Sequence, residues 1–319
     1  MEQTVPAGFE VRGACPEDAG AVTALVAASQ EALHGEAEIS RASVMRKWRA
    51  PRFDLDRDAW LVQTDDGRVV AFGAVRESVP GEEFEGNLAV HPDYRGLGLG
   101  RYILEQEEER VREAIAASGA SAASLHTWSS AGAAERELFT EAGYRRIAVF
   151  SRMEKDLAAE PEPPAWPDGI EPRAFRRGED DAAAFTTLVE AFGEDDEDLP
   201  HAVAEWSRDV VDDPRADPGL WLLACEGEEV VGAAVNSFAG ARGVIERLAV
   251  RPAWQGRGIG GALLRGAFAV LHRRGAAKVI LAVELGVAVE ALDLYRRAGM
   301  GEVRRIEFFE KRIAPPMDF

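Results

Sequence analysis

The chain has 319 residues, 46% of them hydrophobic and 29% charged, and its 37 basic and 56 acidic residues give a formal net charge of −19. This length exceeds what one hydrophobic core usually organises, so two globular domains are expected. The negative charge disfavours nucleic acid and anionic lipid as partners, and two cysteines with five histidines argue against a metal cluster or a disulfide framework.

Apolar segments are short throughout the sequence. None is long enough to span a bilayer, and none follows a basic start as in a secretory signal. A cytoplasmic protein without membrane attachment is therefore expected. The basic residues Arg95, Arg101, Arg257 and Arg265 lie in or beside two glycine-rich segments and run against the negative average.

The chain contains an internal repeat. LAVHPDYRGLGLG begins at Leu88 and LAVRPAWQGRGIG begins at Leu248, an offset of 248 − 88 = 160 residues. Similar segments upstream and downstream keep nearly the same offset. Residues 158–168 between the copies are rich in proline and acid, which is typical of a linker. The predicted domains are residues 1–157 and 169–319.

The first half of each copy predicts a strand, a helix and a hairpin. An edge strand near residues 10–12 or 170–173 leads to the helix. In the second copy, the helix is indicated by apolar residues at helical spacing, namely Phe185, Leu188, Val189 and Phe192. The hairpin turns at Asp66-Gly67 in the first copy and near Gly227 in the second.

The second half of each copy predicts a strand, a glycine loop, a helix, a buried strand and a short helix. The strands at residues 87–90 and 244–250 run into the two loops. The helix after the second loop has an apolar face formed by Ile259, Leu263, Ala267 and Leu271. A buried strand begins at Lys278, and the short helix ends at Ala298-Gly299. The predicted fold class is α/β, with a mixed sheet and helices on both faces in each copy.

Each glycine loop follows a strand and opens a helix. Such a loop exposes main-chain N–H groups beside the positive end of the helix dipole, which suits a pyrophosphate. Glycines at 256, 258 and 260 permit close approach of an anion and unusual backbone angles.

A dinucleotide is one candidate ligand for this loop. Gly256, Gly258 and Gly261 satisfy G-x-G-x-x-G, and Glu284 ends the next strand, where dinucleotide folds carry a ribose-binding acid. However, Arg101 breaks this pattern in the first copy, whereas [QR]-x-x-G-x-G holds in both. Five residues also separate the strand from the loop glycines, where a dinucleotide fold turns almost directly. A dinucleotide-binding enzyme is therefore the minor alternative.

The segment LAVRPAWQGRGIGGALL, followed by ALDLYRRAGM, resembles the acetyl-CoA signature of the GNAT N-acyltransferase superfamily, and LAVHPDYRGLGLGRYIL resembles a second copy. The resemblance implies two tandem GNAT folds that use acetyl-CoA. It implies that loop N–H groups hold the pyrophosphate and that the preceding strand edge pairs with the pantetheine arm. The implied binding residues are Leu248, Ala249, Val250, Gln255, Gly256, Arg257, Gly258, Ile259, Gly260 and Gly261, and in the first copy Leu88, Ala89, Val90, Arg95, Gly96, Leu97, Gly98, Leu99, Gly100 and Arg101.

Direct transfer to an amine requires an oxyanion donor, removal of a proton from the ammonium and a proton for the departing thiolate. The resemblance assigns the last role to Tyr295, because a phenol pKa of about 10 is near that of a thiol. The first copy has Phe139 there, which cannot donate a proton. Alternatively, both rings only pack against the sheet.

For the base, strand alternation predicts that Glu246 shares a face with Leu248 and Val250, taken here as the face toward the thioester. A carboxylate in a partly desolvated cleft there would accept a proton through water. The first copy has Gly86 in this register. A structural ion pair with a nearby arginine is an equally good explanation of Glu246, and Glu284 is a weaker candidate for the base.

Two features depart from the GNAT pattern. The asparagine often found seven residues before the tyrosine is Ala288 here, and Gly132 in the first copy. Met300 and Tyr144 stand where phenylalanine is common. We predict a catalytic C-terminal copy and a degenerate N-terminal copy.

The tandem plan is also similar to that of the mycothiol synthase family, which has a comparable length and a proline-rich linker. The acid expected eleven residues before Gln255 falls on Val244, so that activity is a secondary expectation. A catalytically silent CoA-binding or sensing protein is another alternative. Tyr295 beside an intact Gln255 loop argues against it.

The acceptor is expected to be the primary amine of a small molecule. The acids at residues 194–198 would attract a cationic amine, but a solvated loop is the more ordinary interpretation. Trp206, Trp221 and Trp254 line the acceptor pocket or, by preference, pack in the core. The acyl group is expected to be acetyl.

Overall fold

The structure is a computed structural model and describes residues 5–130, 133–193, 199–214, 216–286 and 289–315. Three features noted in the sequence lie outside the described residues: the acidic run at residues 194–198, and the positions Gly132 and Ala288.

The chain forms two compact units. Unit 1 combines Met1–Val149 with Arg304–Phe319, and unit 2 is Phe150–Val303. Each unit contains most of one sequence repeat together with the closing strand segment of the other. The boundaries at residues 157 and 169 stay a prediction about the repeats, because the compact units divide the chain differently.

Unit 1 contains β1 (Phe9–Gly13), α1 (Ala19–His34), α2 (Arg41–Trp48), α3 (Leu55–Asp58), β2 (Ala59–Thr64), β3 (Val69–Val79), β4 (Glu83–Val90), α4 (Leu99–Ser118), β5 (Ala123–Ser129), α5 (Ala133–Glu141) and the first residues of β6 (Arg145–Asp156). The greater part of β12 (Gly301–Ile313) completes it. Unit 2 contains the rest of β6, β7 (Ile170–Ala174), α6 (Asp181–Phe192), α7 (Leu199–Trp206), β8 (Leu222–Glu226), β9 (Glu229–Ala239), β10 (Arg242–Val250), α8 (Ile259–Arg273), β11 (Lys278–Glu284), α9 (Val289–Arg297) and the start of β12.

Each unit has a mixed sheet. The strand order is β1-β2-β3-β4-β5-β12 in unit 1 and β7-β8-β9-β10-β11-β6 in unit 2. Neighbouring strands are antiparallel except β4 with β5 and β10 with β11, which are parallel. The predicted hairpin turns fall at Gly67 and Gly227, whose φ angles are 82° and 59°.

Helices cover both faces of each sheet. Ala74 and Val75 are consecutive in β3, and they pack in two different apolar clusters, the first with α1 and α2 and the second with α4 and α5. In β9, Ala233 packs in the cluster of α6 and Ala234 in that of α8. This arrangement confirms the predicted α/β fold class.

The predicted apolar helix faces are largely correct. Ile259, Leu263, Ala267 and Leu271 of α8 are all buried. Leu188 and Val189 of α6 are buried, whereas Phe192 is 47% exposed, because it lies in the last turn and its ring faces the guanidinium of Arg247 at 5.4 Å instead of the core. No helix in the described part of the chain has the length and hydropathy of a membrane span.

Candidate functional site

The strands β10 and β11 of unit 2 pair at one end only. Residues 242–244 pair with residues 278–280, and no further pair joins the described parts of these two strands. From Ile245 onward, the two strands diverge. The divergence opens a gap beside β10 that leads toward the second glycine loop.

Main-chain groups of β10 line this gap. Arg251 N–H donates to Val231 C=O at 3.0 Å, which makes these two residues a hydrogen-bonded pair of the β9–β10 ladder. Hydrogen-bonded and non-hydrogen-bonded pairs alternate along an antiparallel ladder. Val250 and Leu248 are therefore non-hydrogen-bonded with β9, and their N–H and C=O groups face the gap.

The glycine loop of unit 2, residues 256–261, exposes a curved set of main-chain N–H groups, called the amide ring below. A 3₁₀ turn at Pro252–Trp254 precedes it, and Gly256 and Gly258 have φ angles of 74° and 87°. Gly258 is the N-cap of α8 and has no side chain to cap it, so the N–H groups of the first turn lack intrahelical partners. No atom of the described residues lies within 4 Å of a Cβ built on Gly256. A diphosphate fits these features: free N–H donors, the positive helix end and space for close approach.

Side chains fasten the loop to its surroundings. Gln255 Nε2 donates to Val250 C=O at 2.9 Å. The indole Nε1 of Trp254 and the guanidinium of Arg257 both donate to the carboxylate of Glu226, at 2.9 and 2.7 Å. These hydrogen bonds lower the pKa of Glu226, so the carboxylate is ionised at neutral pH.

The predicted position of Glu246 is wrong. The β9–β10 register shifts between Ile245 and Arg247, which marks a β-bulge, so Ile245 and Leu248 both pack on the α8 side although they are three residues apart. Glu246 is exposed and accepts a hydrogen bond from Ser237 Oγ. Ser237 follows Val235 by two residues in β9, and Val235 packs on the α6 side. Glu246 therefore lies on the α6 side, opposite Leu248 and Val250.

Tyr295 of α9 is near the glycine loop. Its side chain is 8% exposed and belongs to the same apolar cluster as Ile259 at the start of α8 and Val283 near the end of β11. The preceding residue, Leu294, has its Cδ2 atom 3.4 Å from a Cβ built on Gly260. Burial raises the pKa of Tyr295 above its ordinary value of 10, so the phenol keeps its proton at physiological pH.

The sequence of this chain is similar to those of known acetyltransferases. Residues 181–300 match the model of the acetyltransferase (GNAT) family, and residues 56–146 match that of the acetyltransferase (GNAT) domain. The mycothiol acetyltransferase of Kineococcus radiotolerans is 33% identical over 317 residues, which cover 93% of this chain and 94% of that protein. The chain belongs to the GNAT acetyltransferase family.

Two further relatives support the GNAT assignment. The mycothiol acetyltransferase of Streptomyces scabiei is 30% identical over 242 residues, 72% of each chain. The crystal structure of a GCN5-related N-acetyltransferase from Sphaerobacter thermophilus has a TM-score of 0.84 and 32% identity, and the alignment covers 99% of both chains. The predicted tandem of two GNAT domains is thus confirmed, and the protein is a GNAT N-acetyltransferase.

The GNAT loop of unit 1 has the same backbone as that of unit 2 but different side-chain contacts. Gly96 and Gly98 have φ angles of 76° and 83°. Arg95, the counterpart of Gln255, donates to Ser29 Oγ at 3.0 Å, and Leu97, the counterpart of Arg257, is 50% exposed. Arg101 pairs with Glu105 of its own helix at 3.0 Å.

The strands of unit 1 also differ from those of unit 2. β4 and β5 pair only at residues 83–85 and 124–126, so the gap between them is present. The ladder between β3 and β4 is continuous from Gly86 to Val90, without the bulge that β10 has at the same place. Phe139 is 2% exposed at the position of Tyr295. Unit 1 therefore has the loop and the gap, but neither the bulge nor the phenol.

The sequence predicted neither Glu226 nor Glu107 as a notable residue, and it did not predict that the hydroxyl of Tyr144 is buried. Glu226 holds the loop of unit 2, and only its place at the end of a strand in the predicted hairpin offered a signal. Glu107 of α4 is completely buried beneath β4, and Tyr144 has a buried hydroxyl; neither Glu107 oxygen nor that hydroxyl has a hydrogen-bond partner among the described residues. Trp221 is buried, and Trp206 and Trp254 pack beside apolar clusters, as the core preference predicted.

Proposed function

We propose that this GNAT enzyme transfers an acetyl group from acetyl-CoA directly to the primary amine of a small molecule, and that the chemistry takes place in unit 2. The observation that carries the proposal is the open amide ring of residues 256–261 beside the unpaired edge of β10. Acetyl-CoA supplies the activated acyl group. The loop amides hold its diphosphate, and the main chain of Leu248 and Val250 pairs with its pantetheine arm.

Tyr295 is the proposed acid. The thiolate that departs needs a proton, and a buried phenol with a raised pKa carries one at physiological pH. The phenol lies on the helix that packs against the loop, and it shares an apolar cluster with Leu248 and Val250 of β10 and Val283 of β11. Phe139 at the same place in unit 1 cannot perform this step, which is why the chemistry is assigned to unit 2.

Glu246 is the proposed base. The bulge places its carboxylate on the α6 side of β10, the opposite side from the apolar cluster that contains Tyr295. An acceptor amine that approached from the α6 side would deliver its proton to Glu246, directly or through one water molecule. The oxyanion of the transfer would be stabilised by an N–H group of β10 that faces the gap.

The acceptor is proposed to be a small, neutral or cationic amine. A chain with a net charge of −19 attracts cations and repels polyanionic partners. Because relatives at about 30% identity are named mycothiol acetyltransferases, an amine precursor of mycothiol belongs in the assay panel. Mycothiol synthesis is expected to need an acid at position 244, where this chain has Val244. The mycothiol precursor is therefore the second candidate acceptor.

The proposal is tested by binding and by turnover of the full chain. Acetyl-CoA, CoA and NAD are titrated by calorimetry, and thiol release is followed across a panel of amines. We expect CoA and acetyl-CoA to bind, NAD not to bind, and an amine-dependent release of thiol. Binding of CoA with no release from any amine would favour a silent CoA-sensing protein, and binding of NAD alone would favour a dinucleotide enzyme.

A further inference from the structure

The carboxylate of Glu226 connects two side chains of the glycine loop in unit 2. Its Oε1 accepts from Arg257 Nη2 at 2.7 Å, and its Oε2 accepts from Trp254 Nε1 at 2.9 Å. Glu226 ends β8, whereas both donors belong to the segment between β10 and α8. The two hydrogen bonds thus hold the entrance of the loop to a different strand.

Arg257 is the one arginine among residues 256–261 of the glycine loop. Arg251, at the start of the same segment, is already bound by Glu190 at 2.7 Å and by Glu229, and it stacks on Trp254 at 5.0 Å. Arg265 lies in the second turn of α8, with its Nη1 3.4 Å from Gly261 C=O. An anion seated on the ring therefore meets Arg257 first.

The partner of Arg257 is easily exchanged. Both side chains of the Arg257–Glu226 pair are 41% exposed, and an exposed ion pair of this kind contributes little to folding. A phosphate in the amide ring would carry at least the charge of one carboxylate and would present oxygens that a guanidinium binds in a forked geometry.

We infer that Glu226 is a positioning residue that holds Arg257 beside the glycine loop while the loop is empty and yields it to a phosphate of CoA on binding. This inference rests on the proposed function, because it needs CoA at the loop. Leu97 replaces the arginine in unit 1, so the device belongs to unit 2 alone. The diphosphate and the 3′-phosphate are the two possible phosphates.

The experiment is a double-mutant cycle on the full chain. Glu226→Gln keeps an acceptor for Trp254 but removes the charge that competes with the phosphate. We expect Glu226→Gln to bind CoA about threefold more tightly at low salt, with the gain lost at about 0.5 M salt, because screening removes the competing charge. Arg257→Gln is expected to bind CoA about tenfold more weakly, and Glu226→Gln is expected to have no further effect on top of Arg257→Gln.

Glu228→Gln is the matched control, since Glu228 is an exposed acid of the same hairpin. It removes the same charge without touching Arg257, and we expect CoA affinity to stay unchanged. The preference for CoA over dephospho-CoA identifies the phosphate that Arg257 binds. If Arg257→Gln abolishes this preference, Arg257 binds the 3′-phosphate. If the preference is retained, Arg257 binds the diphosphate. The kcat of Glu226→Gln should equal that of the original chain, with only the KM for acetyl-CoA lowered.

Three results would overturn the inference. Glu226→Gln could bind CoA no more tightly than Glu228→Gln, it could bind CoA more weakly than the original chain, or its effect could persist in the Arg257→Gln background. Failure of the proposed function is distinguishable from these results, because it is observed in the original chain itself, as absence of CoA binding or as CoA binding without release of thiol from any amine.

Discussion

Glu107 fills the space that a side chain at Gly86 would occupy. Its Oε2 atom lies 2.5 Å from a Cβ built on Gly86, and its Cδ atom lies 3.1 Å away. Glu107 comes from α4, is 0% exposed, and lies beside the backbone amides of Asn87 and Ala74. In unit 2, the counterpart of Glu107 is Ala267, and the counterpart of Gly86 is Glu246. In unit 1, the acid comes from α4 and lies on the α4 side of the strand position Gly86. In unit 2, the acid is the strand residue Glu246 itself, and its side chain lies on the opposite face of the sheet, toward α6.

This contact predicts a specific packing defect. Gly86→Ala should destabilise unit 1 by about 1–3 kcal/mol, because the added methyl group overlaps a fully buried carboxyl, which must then shift within the packed interior. The double variant Gly86→Ala/Glu107→Ala should recover most of that loss. Gly20→Ala is the control, since a Cβ there has no neighbour within 4 Å in the part of the chain that the structure describes. Denaturant unfolding measures all three, and equal stability of Gly86→Ala and the original chain would refute the contact.

Glu107 also predicts a dependence of stability on pH. Burial raises its pKa from 4.5 to about 8, and the nearby amides of Asn87 and Ala74 oppose this only in part. The folded state therefore keeps the proton up to about pH 8, whereas the unfolded chain releases it near pH 4.5. The contribution of the protonated group to stability is fully present below pH 4.5 and is lost as the pH rises to about 8.

Glu107→Gln removes this titration. Relative to the original chain, the variant should gain stability as the pH rises from about 5 to about 8, by on the order of 4 kcal/mol at the upper end. Thermal unfolding across this range provides the measurement. Glu113→Gln, an exposed acid on the same helix, is the charge-matched control. A stability difference that stays constant with pH for Glu107→Gln would mean that Glu107 is not a neutral acid in the folded state.

The repeat and its glycine loops could be predicted from the sequence because their signals are local. Glycine at alternate positions after a strand specifies the positive φ angles of Gly256 and Gly258 without any tertiary information. The position of Glu246 could not be predicted, because strict alternation assumes an unbroken ladder and a bulge inserts one residue. The buried state of Glu107 was hidden for a different reason. It belongs to the acidic stretch EQEEER, a run of charges that by itself predicts a solvated face, and only Gly86 opposite it indicates burial.

The exchange of closing strands was equally invisible. Two repeats in tandem look self-contained when each has the same order of predicted elements. The last strand of each repeat, β6 or β12, can pair with either β5 or β11. The choice depends on long-range pairing, which the periodicity of the sequence does not encode. The pairing of β12 with β5 and of β6 with β11 is therefore a result that needed the three-dimensional structure.

Tyr295→Phe tests the proposed acid. Loss of the phenol proton should lower kcat by at least about tenfold, with little change in the KM for acetyl-CoA, because the proton is needed only as the thiolate leaves. Since burial raises the pKa of Tyr295 above 10, the activity of the original chain should not decline on the basic side before that pH. Thiol release over a range of pH values measures both effects.

Tyr144→Phe is the matched control for this substitution. It removes a buried tyrosine hydroxyl in unit 1 that has no hydrogen-bond partner among the described residues, so activity should be unchanged and stability equal or higher. Equal rates of thiol release for Tyr295→Phe and the original chain at every pH would exclude Tyr295 as the acid.

The last strand of the chain predicts how fragments behave. Seven residue pairs join β12 to β5, from Glu307 with Ser129 to Ile313 with Ala123. Phe309 is 1% exposed in the cluster of α4 and α5, so removing β12 would open that cluster and leave β5 as an unpaired edge. The buried carboxylate of Glu307 also pairs with Arg136 and Arg146 at 2.7 and 2.8 Å. Unit 1 therefore cannot be completed by the first repeat alone.

We expect the fragment of residues 1–157 to aggregate or to remain unfolded, because it lacks β12 and carries the part of β6 that belongs to unit 2. A fragment of residues 1–149 joined by a flexible glycine and serine linker to residues 304–319 should fold, since it contains every element of unit 1. Circular dichroism and the dispersion of amide NMR signals distinguish the two. A well-dispersed spectrum and cooperative unfolding of residues 1–157 alone would show that the first repeat closes its own sheet, in conflict with the exchanged strands.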